Sequence, residues 1–98
     1  MILSKIIFVY TTMVTKPNQA EVYFIRDSVA QTVKIGKTGI NNAPQRLKQL
    51  QTGNPNQLTL VRTIPTKTHA DAFKLEKELH QTYSNSHYRG EWFKDELK

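Results

Sequence analysis

The chain contains no cysteine, so neither a disulfide framework nor a thiolate metal site can belong to it. Glycine and proline are scarce, 4 of each in 98 residues, which excludes a collagen-like or Pro/Gly-rich low-complexity chain. Long hydrophobic runs are missing as well. The apolar stretch Ile6 to Tyr10 is far shorter than the ~20 residues a bilayer span requires, and no clean small-residue cleavage site follows it as a signal peptide would need. Neither a membrane nor a secreted destination is therefore expected, and the absence of cysteine is compatible with a reducing cytoplasm. Acidic residues are also few: 8 Asp and Glu stand against 14 Lys and Arg, a net charge of +6. That balance favours a polyanionic partner, because cations that neutralise phosphates release condensed counterions.

What is present suits one folded domain. Hydrophobic residues make up 38% and aromatics 9% of the chain, enough for a single core at this length but not for a second domain. Residues 1–20 read as an N-terminal arm or extra strand followed by a polar linker carrying Pro17, with Met13 an alternative start. Residues 21–98 read as the domain itself. Val22 to Ile25 is β-branched or aromatic, Arg26-Asp27-Ser28 interrupts it, and Thr32 to Lys37 resumes it, which is the pattern of a β-hairpin whose second strand ends at Gly36. Alternation puts Val22 and Phe24 on one face and Tyr23 on the other, and antiparallel pairing brings Tyr23 and Lys34 onto a shared face. Gly36 allows a close backbone approach.

A short helix follows, with Asn41 or Asn42 as N-cap, Pro44 in the first turn, and Gly53-Asn54-Pro55 as its stop. Ala43, Leu47 and Leu50 repeat at core spacing, Arg46 borders that face, and Lys48 points away. Leu58 to Ile64, which contains Arg62, is a third strand closed by Pro65. A longer helix capped by Thr68 then carries the apolar stripe Ala72, Leu75, Leu79 and Tyr83 beside a second row of His69, Phe73, Glu76 and His80. Glu76 looks inward, whereas Glu78 faces solvent. Trp92 and Phe93 are expected to dock on the sheet and close the core. The expected fold is thus α/β (α+β), a small three-stranded antiparallel sheet in ββαβα order flanked by helices.

The ordered set of pieces resembles the GIY-YIG endonuclease superfamily, and in particular its small phage- and virus-type branch. Glu21-Val22-Tyr23 stands where the first name-giving tripeptide falls and Lys34-Ile35-Gly36 where the second does. KIGKT, RLKQLQTGNP, LEKELH and a terminal GEWF follow in the branch's order, so the resemblance covers Glu21 to about Phe93. It implies a metal-dependent phosphodiesterase that cuts nucleic acid, usually DNA, with one divalent ion, Mg²⁺ or Mn²⁺ in its place. Carried onto this chain, it makes Tyr23 the general base or water-positioning group, Arg46 the phosphate ligand and Glu76 the metal ligand, with Lys37 matching the lysine that often follows the second tripeptide. Two departures stand out: Glu21 replaces a glycine, and Lys34 replaces the second tyrosine.

The residues support that chemistry on their own. Phosphodiester hydrolysis needs an activated water, stabilised phosphoryl oxygens and help for the departing alkoxide. A phenol serves as base only where cations such as Lys34, Lys37 or a metal stabilise its phenolate. Arg46 offers a planar fork for two phosphate oxygens, and a carboxylate such as Glu76, with waters and phosphate, is a common Mg²⁺ environment. His80, four residues after Glu76, can assist with a proton, join the metal or serve packing alone. Lys37, Lys48 and Arg62 are the expected nucleic-acid contacts. Each residue also has an ordinary reading: Tyr23 as a surface aromatic, Lys34 as its solvated neighbour, Arg46 as a snorkelling side chain, Glu76 as half of an ion pair. Two other functions follow from those readings, a non-catalytic nucleic-acid-binding module and an interaction or inhibitor protein on the same fold. No separate specificity domain is visible, so recognition is expected to be weak, structure-based, or supplied by a homodimer or a partner protein.

Overall fold

A computed structural model describes residues 19–95; the expected N-terminal strand lies outside them. Five antiparallel strands form one sheet in the order β3-β1-β2-β5-β4. In chain order the elements are β1 (Ala20–Asp27), β2 (Thr32–Gly39), α1 (Ala43–Gln51), β3 (Leu58–Thr66), α2 (His69–Thr82), β4 (His87–Arg89) and β5 (Trp92–Lys94). The first three strands and both helices are those anticipated. The tail differs: instead of docking from a loop, Trp92 and Phe93 enter the sheet as β5, pairing with Lys34 and Val33. Strand alternation then sends the two aromatics to opposite faces.

The hairpin register places Tyr23 opposite Gly36, Ile25 opposite Lys34 and Val22 opposite Lys37. Each face of the sheet has its own apolar cluster, so the single expected core is divided in two. Val22, Phe24, Val33, Ile35 and Phe93 pack under α2 with Ala72, Leu75, Leu79 and Tyr83. Tyr23, Ile25 and Leu58 pack under α1 with Ala43, Leu47, Leu50 and Trp92. A sheet between two amphipathic helices must be apolar on both sides, which is why β1 reads as a continuous run rather than an alternating one.

Three local expectations change. β2 runs on to Gly39 rather than ending at Gly36, because β1 continues to pair with it through Ala20. β3 continues through Pro65 to Thr66. Among the described residues it lies at the sheet edge, where a missing N–H leaves no neighbouring strand unpaired. Asn42 does occupy the N-cap of α1, but its side chain makes no cap and donates to Thr38 Oγ1 at 2.8 Å. The cap comes from the hairpin: Glu21 Oε2 accepts from the Ala43 N–H at 2.8 Å, and Glu21 is only 4% exposed. The glutamate that replaces a glycine of the resembled motif therefore satisfies an otherwise orphaned helix amide and sets a negative charge against the positive end of α1.

Candidate functional site at the open edge of the second strand

β5 covers β2 only at Thr32, Val33 and Lys34. From Gly36 to Gly39, β2 has β1 on one side and, among the described residues, no strand on the other. Side chains from both faces of the sheet can meet at such an edge.

On the α1 face, Tyr23 is buried to 1% and is the largest fully buried side chain among the described residues. It is a core residue, not a surface aromatic. Its ring lies across Gly36 so closely that a Cβ there would stand 2.5 Å from the phenol oxygen and 2.6 Å from the carbon bearing it. The glycine of Lys34-Ile35-Gly36 is thus explained by the tyrosine of the preceding strand, and the close approach is to a side chain rather than to backbone. Lys34 shares this face diagonally from Tyr23, between Ile25 on β1 and Trp92 on β5. Its stem is covered, with the side chain 12% exposed, and its ammonium donates to Glu91 Oε1 at 2.8 Å. It is a half-buried, paired cation, not a solvated neighbour. Arg46, on α1, donates through Nη1 to Gln49 Oε1 at 2.8 Å, while its Nε is buried without a partner.

On the α2 face, Glu76 is 8% exposed and its Oε2 is buried with no hydrogen-bond partner. Burial raises its carboxyl above the ordinary glutamate range, and the charge of Glu91 raises it further, against the opposing pull of His80, Lys37 and Lys34. Glu76 therefore lies within electrostatic reach of Glu91, His80, Lys37 and Lys34. Among the described residues Glu76 makes no ion pair, so the ordinary reading of it as the partner of Arg46 or His80 is not met. His80 Nε2 lies 2.9 Å from the Ile35 carbonyl, an acceptor only, so Nε2 carries the proton and donates. Lys37 sits 5.9 Å above the centre of the exposed Phe73 ring.

Two of the expected nucleic-acid contacts lie elsewhere. Lys48 is exposed on α1. Arg62 is on β3, across β1 from the open edge, with its guanidinium 5.6 Å from the centre of the Phe24 ring. It lines a cavity of about 320 Å³ with Phe24, Arg26 and Tyr83. The residue that sequence reasoning missed is Glu91, whose backbone oxygen accepts from the Ile35 N–H at 3.0 Å while its carboxylate holds Lys34. The GEWF segment enters the resemblance as a motif and the core through its aromatics, and nothing local marks its glutamate.

A metal must be judged against these groups. Among the described residues no cluster of three or more His, Asp or Glu is arranged to hold one, which excludes a closed protein cage. A buried carboxylate oxygen without a partner does fit a hard divalent ion whose remaining ligands are water and phosphate. No helix among the described residues is long and apolar enough to cross a membrane.

A small α+β domain with a five-stranded antiparallel sheet between two helices, and a buried acid among cations at a sheet edge, is compatible with a nuclease-like fold. The T5orf172 domain model matches residues 8–98, and the chain belongs to that family. The domain occurs in phage-type and homing-endonuclease-like proteins. No curated protein and no solved structure matches the chain.

Proposed function

We propose that this domain is a divalent-metal-dependent endonuclease of the GIY-YIG type, hydrolysing phosphodiester bonds of nucleic acid, with DNA as its substrate and Mg²⁺ as its ion. The observation that carries the reading is the Glu76 carboxylate: buried, with one oxygen unpartnered, and set among Lys34, Lys37 and His80 beside the open edge of β2. An uncompensated buried acid is costly to keep, and catalytic sites are where such groups persist.

In this reading Glu76 holds the ion. When bound, the ion supplies charge to stabilise the phosphoryl oxygens and the departing alkoxide. Arg46 presents the guanidinium edge not engaged with Gln49 to the scissile phosphate. Tyr23 orients the attacking water or takes its proton, and Lys34 supplies the positive charge a phenolate needs. Water attacks phosphorus, the bond to the leaving oxygen breaks, and the resulting alkoxide takes a proton from solvent. His80 orients the rim by donating from Nε2 to the Ile35 carbonyl, so that proton is not the one given to the leaving group. One such centre cuts one strand, so a double-strand break requires two molecules or two visits.

Nicking of supercoiled plasmid tests the reading. Wild-type protein should relax the plasmid with Mg²⁺ or Mn²⁺ and stop in EDTA, and Glu76→Ala and Arg46→Ala should each lose at least about a hundredfold. Cleavage undiminished in Glu76→Ala would remove the proposed centre. The burial of Tyr23 favours a second reading, a nucleic-acid-binding module without turnover. That module would show salt-sensitive DNA binding with no nicking in either metal.

A further inference from the structure

Packing does not account for Phe73. The stripe of α2 that packs under the sheet is Ala72, Leu75, Leu79 and Tyr83, and Phe73 belongs to neither apolar cluster of the described residues. Its ring is 56% exposed. A lone exposed apolar side chain is ordinary, so its surroundings decide what it means. Lys37 is the register partner of Val22, which places it on the α2 face of the sheet, at the part of β2 that β5 leaves uncovered. Its ammonium lies 5.9 Å from the centre of the Phe73 ring and makes no ion pair among the described residues. The exposed Lys77 stands one turn after Phe73 on α2, and the buried Glu76 three residues after it. An open aromatic face is thus bordered by two cations at an open strand edge, one helical turn from the carboxylate of the proposed cutting centre.

We propose that Phe73 is a stacking platform for an unpaired base of single-stranded nucleic acid, and that Lys37 holds the phosphate next to that base. Every base has a π-face, so stacking on an exposed ring is indifferent to sequence. A base inside a duplex is already stacked on its neighbours and reaches such a ring only by leaving the helix. Lys37 suits the second task because its ammonium is a point charge on a flexible stem, able to follow a phosphate while staying beside the ring. Binding of the base needs nothing from Glu76. Its use in selecting the substrate rests on the nuclease reading: with Glu76 one turn away, the stacked base fixes which phosphate reaches the centre, and single-stranded segments become the preferred substrate. Selection is then by the absence of pairing, not by sequence.

Fluorescence anisotropy of the full chain in EDTA, where no strand is cut, tests the platform with a short labelled oligothymidylate, an abasic strand of the same length and charge, and a labelled duplex. Wild-type protein should bind the oligothymidylate about tenfold more tightly than the abasic strand. Phe73→Ala and Phe73→Leu should lose that advantage and Phe73→Trp should keep it, with duplex affinity unchanged in all three. The salt slope separates stacking from mere support of Lys37: Phe73→Ala should leave it unchanged, whereas Lys37→Ala should lower it by about one unit. A slope lowered by Phe73→Ala, equal wild-type affinity for the base-bearing and abasic strands, or the same loss on duplex as on single strand would overturn the proposal. Should Phe73→Ala show no thermal unfolding transition, the indole introduced by Phe73→Trp decides, once the Trp92 signal of the wild type is subtracted. Quenching by oligothymidylate but not by the abasic strand supports the platform, and equal or absent quenching overturns it. Plasmid nicking by the same proteins separates the two readings. Base-dependent binding without nicking sinks the nuclease and leaves the platform standing. Nicking by a protein that binds both strands equally does the reverse.

Discussion

Gly36 and Tyr23 form a lock that a single methyl group would break. A Cβ at position 36 would fall 2.5 Å from the phenol oxygen, and the ring has little room to retreat because the tyrosine is 1% exposed. Gly36→Ala should therefore cost about 1–3 kcal/mol in chemical denaturation, as overpacking of a tight core does. It should also reduce nicking by more than its effect on stability explains, because the phenol proposed to position the water is displaced from its place over Gly36. Glu76 carries a prediction of opposite sign. Its carboxyl titrates above the ordinary range in the folded chain, chiefly through burial, so the folded state binds more protons than the unfolded state between the two values. Stability should consequently fall as pH rises from the unfolded value of ~4.3 through the raised folded one, and be greatest below both. Glu76→Gln should be more stable than wild type at neutral pH and lose that pH dependence, as thermal melts across pH 4 to 8 would record. A melt in which Glu76→Gln is the weaker protein at neutral pH would contradict this. At this scale the sequence was legible where partners lie on one hairpin, as with the face shared by Tyr23 and Lys34, although the tyrosine ring lying across Gly36 was not foreseen. It was illegible where the partner is distant, as with Lys34 and Glu91, which are 57 residues apart.

Single side chains also decide how the elements join. In the β1–β2 turn, Asp27 Oδ1 accepts from the Val29 and Ala30 amides at 3.1 and 2.9 Å, and Oδ2 accepts from Asn56 at 2.9 Å. One carboxylate thus ends β1, shapes the turn and ties down the loop after α1. Burial alone would raise its titration, but the hydrogen bonds from Ala30, Asn56 and Val29 outweigh it and hold Asp27 below the ordinary range. A depressed acid stabilises the fold above its unfolded value of ~3.9, and that contribution disappears as pH falls through the folded value. Asp27→Asn should therefore cost about 1–3 kcal/mol at neutral pH and progressively less in strong acid, read by urea unfolding at both ends of the range. Equal cost at both ends would show that the charge does not matter. Glu21→Ala should remove the cap of α1 at a cost of about 1–2 kcal/mol. The same change should impair nicking, because α1 carries Arg46. Asn41 and Asn42 looked like the caps because local spacing favours Asx residues there. The chain instead caps α1 from 22 residues away, an arrangement that local spacing does not encode. The helix faces themselves were readable, since Ala43, Leu47 and Leu50 and the stripe Ala72, Leu75, Leu79 and Tyr83 each need only a 3.6-residue period.

Across the whole molecule, the net charge of +6 is less informative than where the cations sit. The sheet order separates them: Lys37 lies on β2 at the open edge and Lys34 beside it where β5 begins to cover the strand, whereas Arg62 lies on β3 at the far side, over Phe24 beside a cavity it shares with Arg26. Sequence order alone treats Lys37, Lys48 and Arg62 as equivalent candidates, because strand order in a sheet is set by tertiary pairing and the C-terminal strands enter next to β2 rather than next to β3. If DNA is drawn to the edge where Glu76 lies, the salt dependence of binding will distinguish these residues. Each phosphate contact contributes about one unit to the slope of log K against log salt. Arg46→Ala and Lys37→Ala should each reduce the slope by about that amount, and Arg62→Ala should leave it unchanged. Fluorescence anisotropy of a labelled duplex across a salt series, in EDTA so that no strand is cut, provides the slopes. A slope that falls for Arg62→Ala but not for Lys37→Ala would move the nucleic acid to the opposite side of the sheet, and the buried carboxylate of Glu76 would then lie away from the backbone it is proposed to cut.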